Sequence, residues 1–208
     1  MTNKNIFVAC DVSSQKKILD LLGLIHEDIS GIKIGLQYIT QRSPEEIREL
    51  SRFKKPIFYD GKFFDIKNTL VESVKSLKNL NVDYATVHLL NGLDALKAAN
   101  QAAQEINLNL LGVSVLTSFS DEDLESLGFR DKVGDQVKRL TQIAMEANLH
   151  GIICSPIEIK MIKKIAPKLK CFTPGIRMGN IKDDQKRTMS ANEAIKEGSD
   201  CLIIGRPI

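Results

Sequence analysis

The segment Pro56-Ile57-Phe58-Tyr59-Asp60-Gly61-Lys62-Phe63-Phe64-Asp65 decides the fold. It is a short apolar run that ends abruptly in charge. Apolar residues on consecutive positions suit a strand buried on both faces, as in a parallel sheet. Runs of the same kind recur at 6–10, 31–34, 84–89, 110–115, 151–154, 170–172 and 201–204, with 56–60 as the third of eight.

Longer amphipathic stretches lie between these runs. The segment 14–24 follows Ser13-Ser14, which can serve as N-caps, and sets Ile18, Leu21, Leu22 and Ile25 on one side. Pro44 suits the first helical position after Ser43, with Ile47 and Leu50 facing inward. Further helices are predicted at 65–80, 93–106, 132–147, 158–166 and 191–197, with a short extra one at 121–127. Strict alternation of strand and helix predicts a parallel sheet. Eight strands make a closed (β/α)8 barrel, of the TIM type, the natural candidate, carried by one domain over 1–208. A doubly wound open sheet is the alternative. It usually has a glycine-rich turn after the first strand, where this chain has Asp11-Val12-Ser13-Ser14.

Composition narrows the function. The chain has 208 residues, 43% hydrophobic and 26% charged, which excludes a disordered chain. No apolar run approaches the ~20 residues of a membrane span, and the N-terminus carries no signal-peptide core. A cytoplasmic protein is expected. Net charge is +3, with 5% aromatics and no Trp. Those values favour small anionic ligands over nucleic acid, because a base-stacking platform is hard to assemble from them. Cys10, Cys154, Cys171 and Cys201 sit in or beside apolar runs without a CxxC pair. They read as buried, reduced thiols rather than metal ligands.

In a barrel, reacting groups project from the C-terminal ends of the strands. Those positions hold Asp11, Lys33, Asp60 with Lys62 and Asp65, His88, Thr117, Thr173 to Arg177, and Gly205-Arg206. A run such as Asp60-Gly61-Lys62-Phe63-Phe64-Asp65 ordinarily reads as a solvated loop. Behind a buried strand and among three phenylalanines, its charges must instead be paired. Lys33, Asp60, Lys62 and Asp65 sum to zero, so an alternating array satisfies all four. His88 reads as a core histidine bonded to a neighbour. His26 and His150 lie at helix ends and read as structural.

These residues carry a family resemblance. Ile32-Lys33-Ile34-Gly35, the segment 60–69, Val115-Leu116-Thr117-Ser118, Thr173-Pro174-Gly175-Ile176-Arg177, Asp183-Asp184-Gln185-Lys186-Arg187 and Gly205-Arg206 occur in order and at the right spacing. Together they resemble the bacterial orotidine 5'-monophosphate decarboxylases, from Val8-Ala9-Cys10-Asp11 to the last motif. The resemblance implies cofactor-independent decarboxylation of orotidine 5'-monophosphate in pyrimidine synthesis, with no metal. It also implies a homodimer with shared active sites. By position, Lys62 matches the catalytic lysine, Asp60 its neighbouring carboxylate and Lys33 the second lysine. Asp65 matches an aspartate contributed by the partner subunit. Asp11, Lys33 and the partner's Thr69 match ribose contacts, and Thr117 matches a pyrimidine contact. Arg177, Gln185, Gly205 and Arg206 match the phosphate site and its closing loop.

Two rival readings stand beside this one. Decarboxylases of keto-sugar phosphates and hexulose-phosphate synthases share D-x-K-x-x-D but use Mg2+. An acidic residue helps bind the metal there at the place held here by Lys33, and a lysine would repel it. A non-catalytic nucleotide-binding protein is the other rival. The sequence also departs from the family at Lys67, where proline is common, and at its end. The chain reaches Pro207-Ile208 directly after the eighth strand, so the expectation is a barrel lacking its final helix.

Overall fold

The computed structural model describes residues 5–12, 14–176, 188–205 and 208. Eight parallel strands succeed one another around a closed barrel. They are β1 (Ile6–Ala9), β2 (Gly31–Gly35), β3 (Ile57–Phe63), β4 (Tyr84–His88), β5 (Asn109–Val113), β6 (Gly151–Ile153), β7 (Lys170–Thr173) and β8 (Cys201–Ile204). Pairing of β1 with β8 closes the ring. The connections contain α1 (Gln15–Ile25), α2 (Leu36–Ile39), α3 (Pro44–Glu49), α4 (Lys67–Ser76), α5 (Leu93–Glu105), α6 (Asp121–Ser126), α7 (Val133–Glu146), α8 (Ile159–Ile165) and α9 (Ala191–Lys196).

Serines start several of these helices, Ser14 among them as the sequence suggested. Ser14 accepts the Lys17 N–H at 3.3 Å, and Ser13 lies outside the described residues. Ser43, Ser120 and Ser190 form reciprocal capping boxes with Glu46, Asp123 and Glu193. The four-residue α2 was not anticipated, since it is too short to show a helical period.

Side chains on successive strand positions point alternately into the barrel and out toward the helices. The outward set includes Ile32, Ile34 and Ile57, packed with Ile18, Leu22, Ile47 and Leu50. The inward set begins with four rings: Phe7, Phe58, Tyr84 and Phe172. Their centroids lie 5.5 to 6.4 Å apart, mostly edge to face. Gly31 makes room for them, since a Cβ there would fall 2.3 Å from the Phe7 ring. The rings fill the barrel below the strands' C-terminal ends and form the floor of the site above.

The third strand departs from expectation. It runs to Phe63 rather than stopping at Asp60, and its helix begins at Lys67 rather than Asp65. Tyr59 faces Ala85 and Phe63 faces Val87, so four steps on β3 match two on β4. The surplus is taken up as a bulge, where Lys62 adopts a left-handed φ of 48°. Such a φ is uncommon outside glycine and costs about 1–2 kcal/mol.

Candidate active site

One layer above the aromatic floor, the inward positions change from apolar to charged. Strand parity carries Phe58 to Asp60 on β3, Gly31 to Lys33 on β2 and Tyr84 to Thr86 on β4. Asp11 follows the end of β1 with the same parity. The result is a continuous chain of opposite charges. The Lys33 ammonium donates to Asp11 Oδ2 at 2.9 Å and to Asp60 Oδ2 at 3.3 Å. The Lys62 ammonium donates to the same Asp60 Oδ2 at 2.8 Å. The Thr86 hydroxyl donates to Asp60 Oδ1 at 2.9 Å.

Burial falls along this chain toward solvent. Lys33 and Asp60 are buried, whereas 32% of the Lys62 side chain and 43% of the Asp11 side chain remain exposed. Burial opposes the Lys33 ammonium, but the carboxylates of Asp60 and Asp11 outweigh it and raise its pKa. Burial likewise opposes the Asp60 carboxylate. The two lysines and the Thr86 hydroxyl outweigh that effect and hold its pKa below the ordinary value. Lys33 and Asp60 therefore both stay charged at neutral pH despite their burial.

The array lines a cavity of about 810 Å³ at the C-terminal mouth of the barrel. Asp11, Lys33, Asp60, Lys62, Thr117 and Gly205 all border it. Asp65 and Thr69 do not. Both are exposed, outside the rim, where the Asp65 N–H donates to Asn91 Oδ1 at 3.1 Å. Around them stand exposed apolar side chains: Phe64, Ile66 and Leu90. Arg177, Gln185 and Arg206 lie outside the described residues. A second cavity of about 540 Å³, bordered by α6, α7 and α8, is lined by none of the site residues expected from the sequence.

His88 is half-buried, and its Nδ1 accepts the Leu90 N–H at 3.3 Å, with the ring against Phe64. Burial and the nearby Lys62 ammonium lower its pKa. It is thus a neutral histidine bonded to a neighbour, as the sequence suggested. Two residues were given no part in the site by the sequence. Thr86 is fully buried beneath the array. Gly35 abuts Asp11 and Lys33. The available signal was parity alone, since each stands two positions from an inward-facing residue.

Among the described residues, no three His, Cys, Asp or Glu side chains are grouped to hold a metal ion. What the site offers is positive charge held on a buried carboxylate, above an aromatic floor.

The model of the orotidine 5'-phosphate decarboxylase / HUMPS family matches residues 4–208. The chain belongs to that family. An orotidine 5'-phosphate decarboxylase of Wolbachia pipientis subsp. Culex pipiens is 37% identical over 204 residues, covering 98% of this chain and 90% of the relative. One from Legionella pneumophila (strain Lens) is 38% identical over 213 residues, covering 100% and 93%. The crystal structure of the orotidine 5'-phosphate decarboxylase from Lactobacillus acidophilus superposes with a TM-score of 0.86 at 28% identity, covering 99% of this chain and 92% of that one. The resemblance read from the motifs is therefore a membership of the orotidine 5'-phosphate decarboxylase / HUMPS family. Its members' shared fold is the barrel described above.

Proposed function

We propose that this protein converts orotidine 5'-monophosphate to uridine 5'-monophosphate without a cofactor, through one (β/α)8 domain over 1–208. The observation that carries the reading is Asp60 Oδ2 shared between the ammoniums of Lys33 and Lys62 at 3.3 and 2.8 Å. In a chain of this family, that arrangement aims a held ammonium into a nucleotide-sized cavity.

The chemistry follows from charge. Breaking the bond between C6 and the carboxylate releases CO2 and leaves its electron pair on C6. That carbanion has little delocalisation, so preorganised positive charge is the effective stabiliser. Lys62 supplies it, and its Nζ–H then becomes the new C6–H bond. The neutral amine regains its proton from solvent. Asp60 keeps Lys62 charged and aimed. Lys33 neutralises Asp60 from the buried side and, with Asp11, contacts the ribose. Thr117 contacts the pyrimidine. Gly205, Arg206, Arg177 and Gln185 hold the phosphate, whose binding energy closes the site. Two ammoniums already occupy Asp60 Oδ2, which disfavours a divalent cation there and hence the metal-dependent branch of the family.

The same reading makes the protein a homodimer. Asp65 and Thr69 stand outside the rim among exposed Phe64, Ile66 and Leu90, a patch suited to a second copy. The partner's Asp65 and the partner's Thr69 then complete each site. A cytoplasmic location goes with this reading, since all four cysteines are buried free thiols of the kind a reducing compartment preserves.

The test is the absorbance change on mixing the protein with orotidine 5'-monophosphate in EDTA. Turnover is expected. None from folded, full-length protein overturns the assignment, and turnover only after Mg2+ is added favours the metal-dependent branch.

A further inference from the structure

The bulge in β3 leaves a backbone donor to be satisfied. Beyond Tyr59 the regular ladder with β4 is broken until Phe63, and Lys62 sits inside the break with φ 48°. Its N–H has no strand partner at that point. It donates instead to the Thr86 hydroxyl oxygen at 2.8 Å. That oxygen is fully buried, so its own hydrogen must also find an acceptor. It finds Asp60 Oδ1 at 2.9 Å.

One hydroxyl therefore serves two masters in a fixed order. A threonine oxygen has one hydrogen and its lone pairs. The lone pair is taken by the Lys62 N–H, so the hydrogen goes to Asp60. An ionised carboxylate only accepts, so charged Asp60 takes that hydrogen, and its charge strengthens the bond. The two oxygens of Asp60 then have different duties: Oδ2 receives both ammoniums and Oδ1 receives Thr86.

We infer that Thr86 is a positioning residue for the charged array, its single hydroxyl locking the Asp60 carboxylate and the Lys62 backbone together. It acts through those two residues and lines no part of the cavity. Without it, the left-handed turn at Lys62 loses its anchor and the ammonium loses its aim. This inference rests on the proposed decarboxylation for its kinetic consequence, but not for its structural one.

The charged groups facing Asp60 are Lys33 from β2 and Lys62 from β3. Asp11 acts through Lys33, and the neutral His88 on β4 lies near Lys62. Thr86 is the uncharged donor among them. Its hydroxyl helps depress the Asp60 pKa, so its removal moves Asp60 titration upward.

The experiment compares Thr86→Val, which keeps the shape and loses the hydroxyl, with Thr86→Ser, which keeps the hydroxyl. Thr86→Ala replaces Thr86→Val if the latter does not fold. With orotidine 5'-monophosphate, loss of the hydroxyl is expected to lower kcat about ten- to a hundredfold, with KM within about threefold. Thr86→Ser restores kcat to within about threefold. The activity-independent readout is NMR in the absence of substrate. The Asp60 carboxyl titrates at higher pH, and the Lys62 amide loses hydrogen-exchange protection, in the valine variant but not in the serine one. If a folded Thr86→Val or Thr86→Ala protein keeps both signals unchanged, the inference is overturned. If the unsubstituted protein fails to decarboxylate while both signals move, the proposed function falls and the role of Thr86 stands.

Discussion

A Cβ placed on Gly35 falls 2.2 Å from Oδ1 of Asp11 and 3.1 Å from the Lys33 ammonium. Only glycine lets β2 end against both groups. Gly35→Ala should therefore push Asp11 away from Lys33 without unfolding the barrel, since a side chain tip gives way more easily than backbone. Affinity for uridine 5'-monophosphate, measured by calorimetry, is expected to fall about tenfold, the scale of one charged hydrogen bond. Unchanged affinity would mean that Asp11 makes no contact with the nucleotide.

In the proposed mechanism Lys62 combines charge stabilisation and proton donation in one group. Lys62→Ala is expected to reduce kcat by at least about a hundred- to ten-thousandfold, the usual range for losing a general acid. Phosphate recognition is remote, so binding of uridine 5'-monophosphate should weaken far less. A kcat close to that of the unsubstituted protein would place the proton donor elsewhere.

Asp65 stands outside the rim of its own barrel, which sets up a complementation test. Asp65→Ala and Lys62→Ala homodimers should each be nearly inactive. Mixed and exchanged, half the dimers combine one of each chain and contain one intact site. Activity should return to roughly a quarter of the original, as random pairing of a two-fold dimer requires. No recovery after exchange has been verified, for example by mass spectrometry, would show that the sites are not shared.

The array also shapes stability against pH. Asp60 has a folded pKa below its ordinary value. Its contribution is present above about pH 4, the unfolded value, and is lost as pH falls through the folded one. Lys33 has a folded pKa above its ordinary value. Its contribution is complete below about pH 10 and is lost as pH rises through the folded value. Asp60→Asn should be less stable by about 3 kcal/mol on the neutral plateau, because it takes the carboxylate from Lys62 and leaves the buried Lys33 with Asp11 alone. It should also show a shallower loss of stability below pH 4. Thermal midpoints across pH check both effects, and parallel acid limbs would contradict the second.

The barrel was legible because its signal is repeated. Eight buried apolar runs with helices between them leave few other solutions. Asp60 and Lys62 were legible because charge directly after a buried run demands a partner. Thr86 was not, since a threonine inside a strand reads as an ordinary β-former. Its importance depends on which face points inward and on a bulge in a different strand. The bulge itself arises from the pairing of β3 with β4, which no local pattern in residues 57–63 encodes. Gly35 stood in the sequence only as the last residue of the Ile32–Gly35 motif for the same reason: Asp11, its neighbour in space, is 24 positions away. Asp65 and Thr69 were recognised through their motif, but their placement outside the rim depends on where β3 ends.

The rings of Phe7, Phe58, Tyr84 and Phe172 have a consequence for traffic. They stopper one end of the tube, leaving a vessel with a single mouth. In the proposed function the bound nucleotide is then the cork. Gas released at the bottom must slip past it or wait for it to leave. Departure, as much as bond breaking, is built into the plan of this barrel.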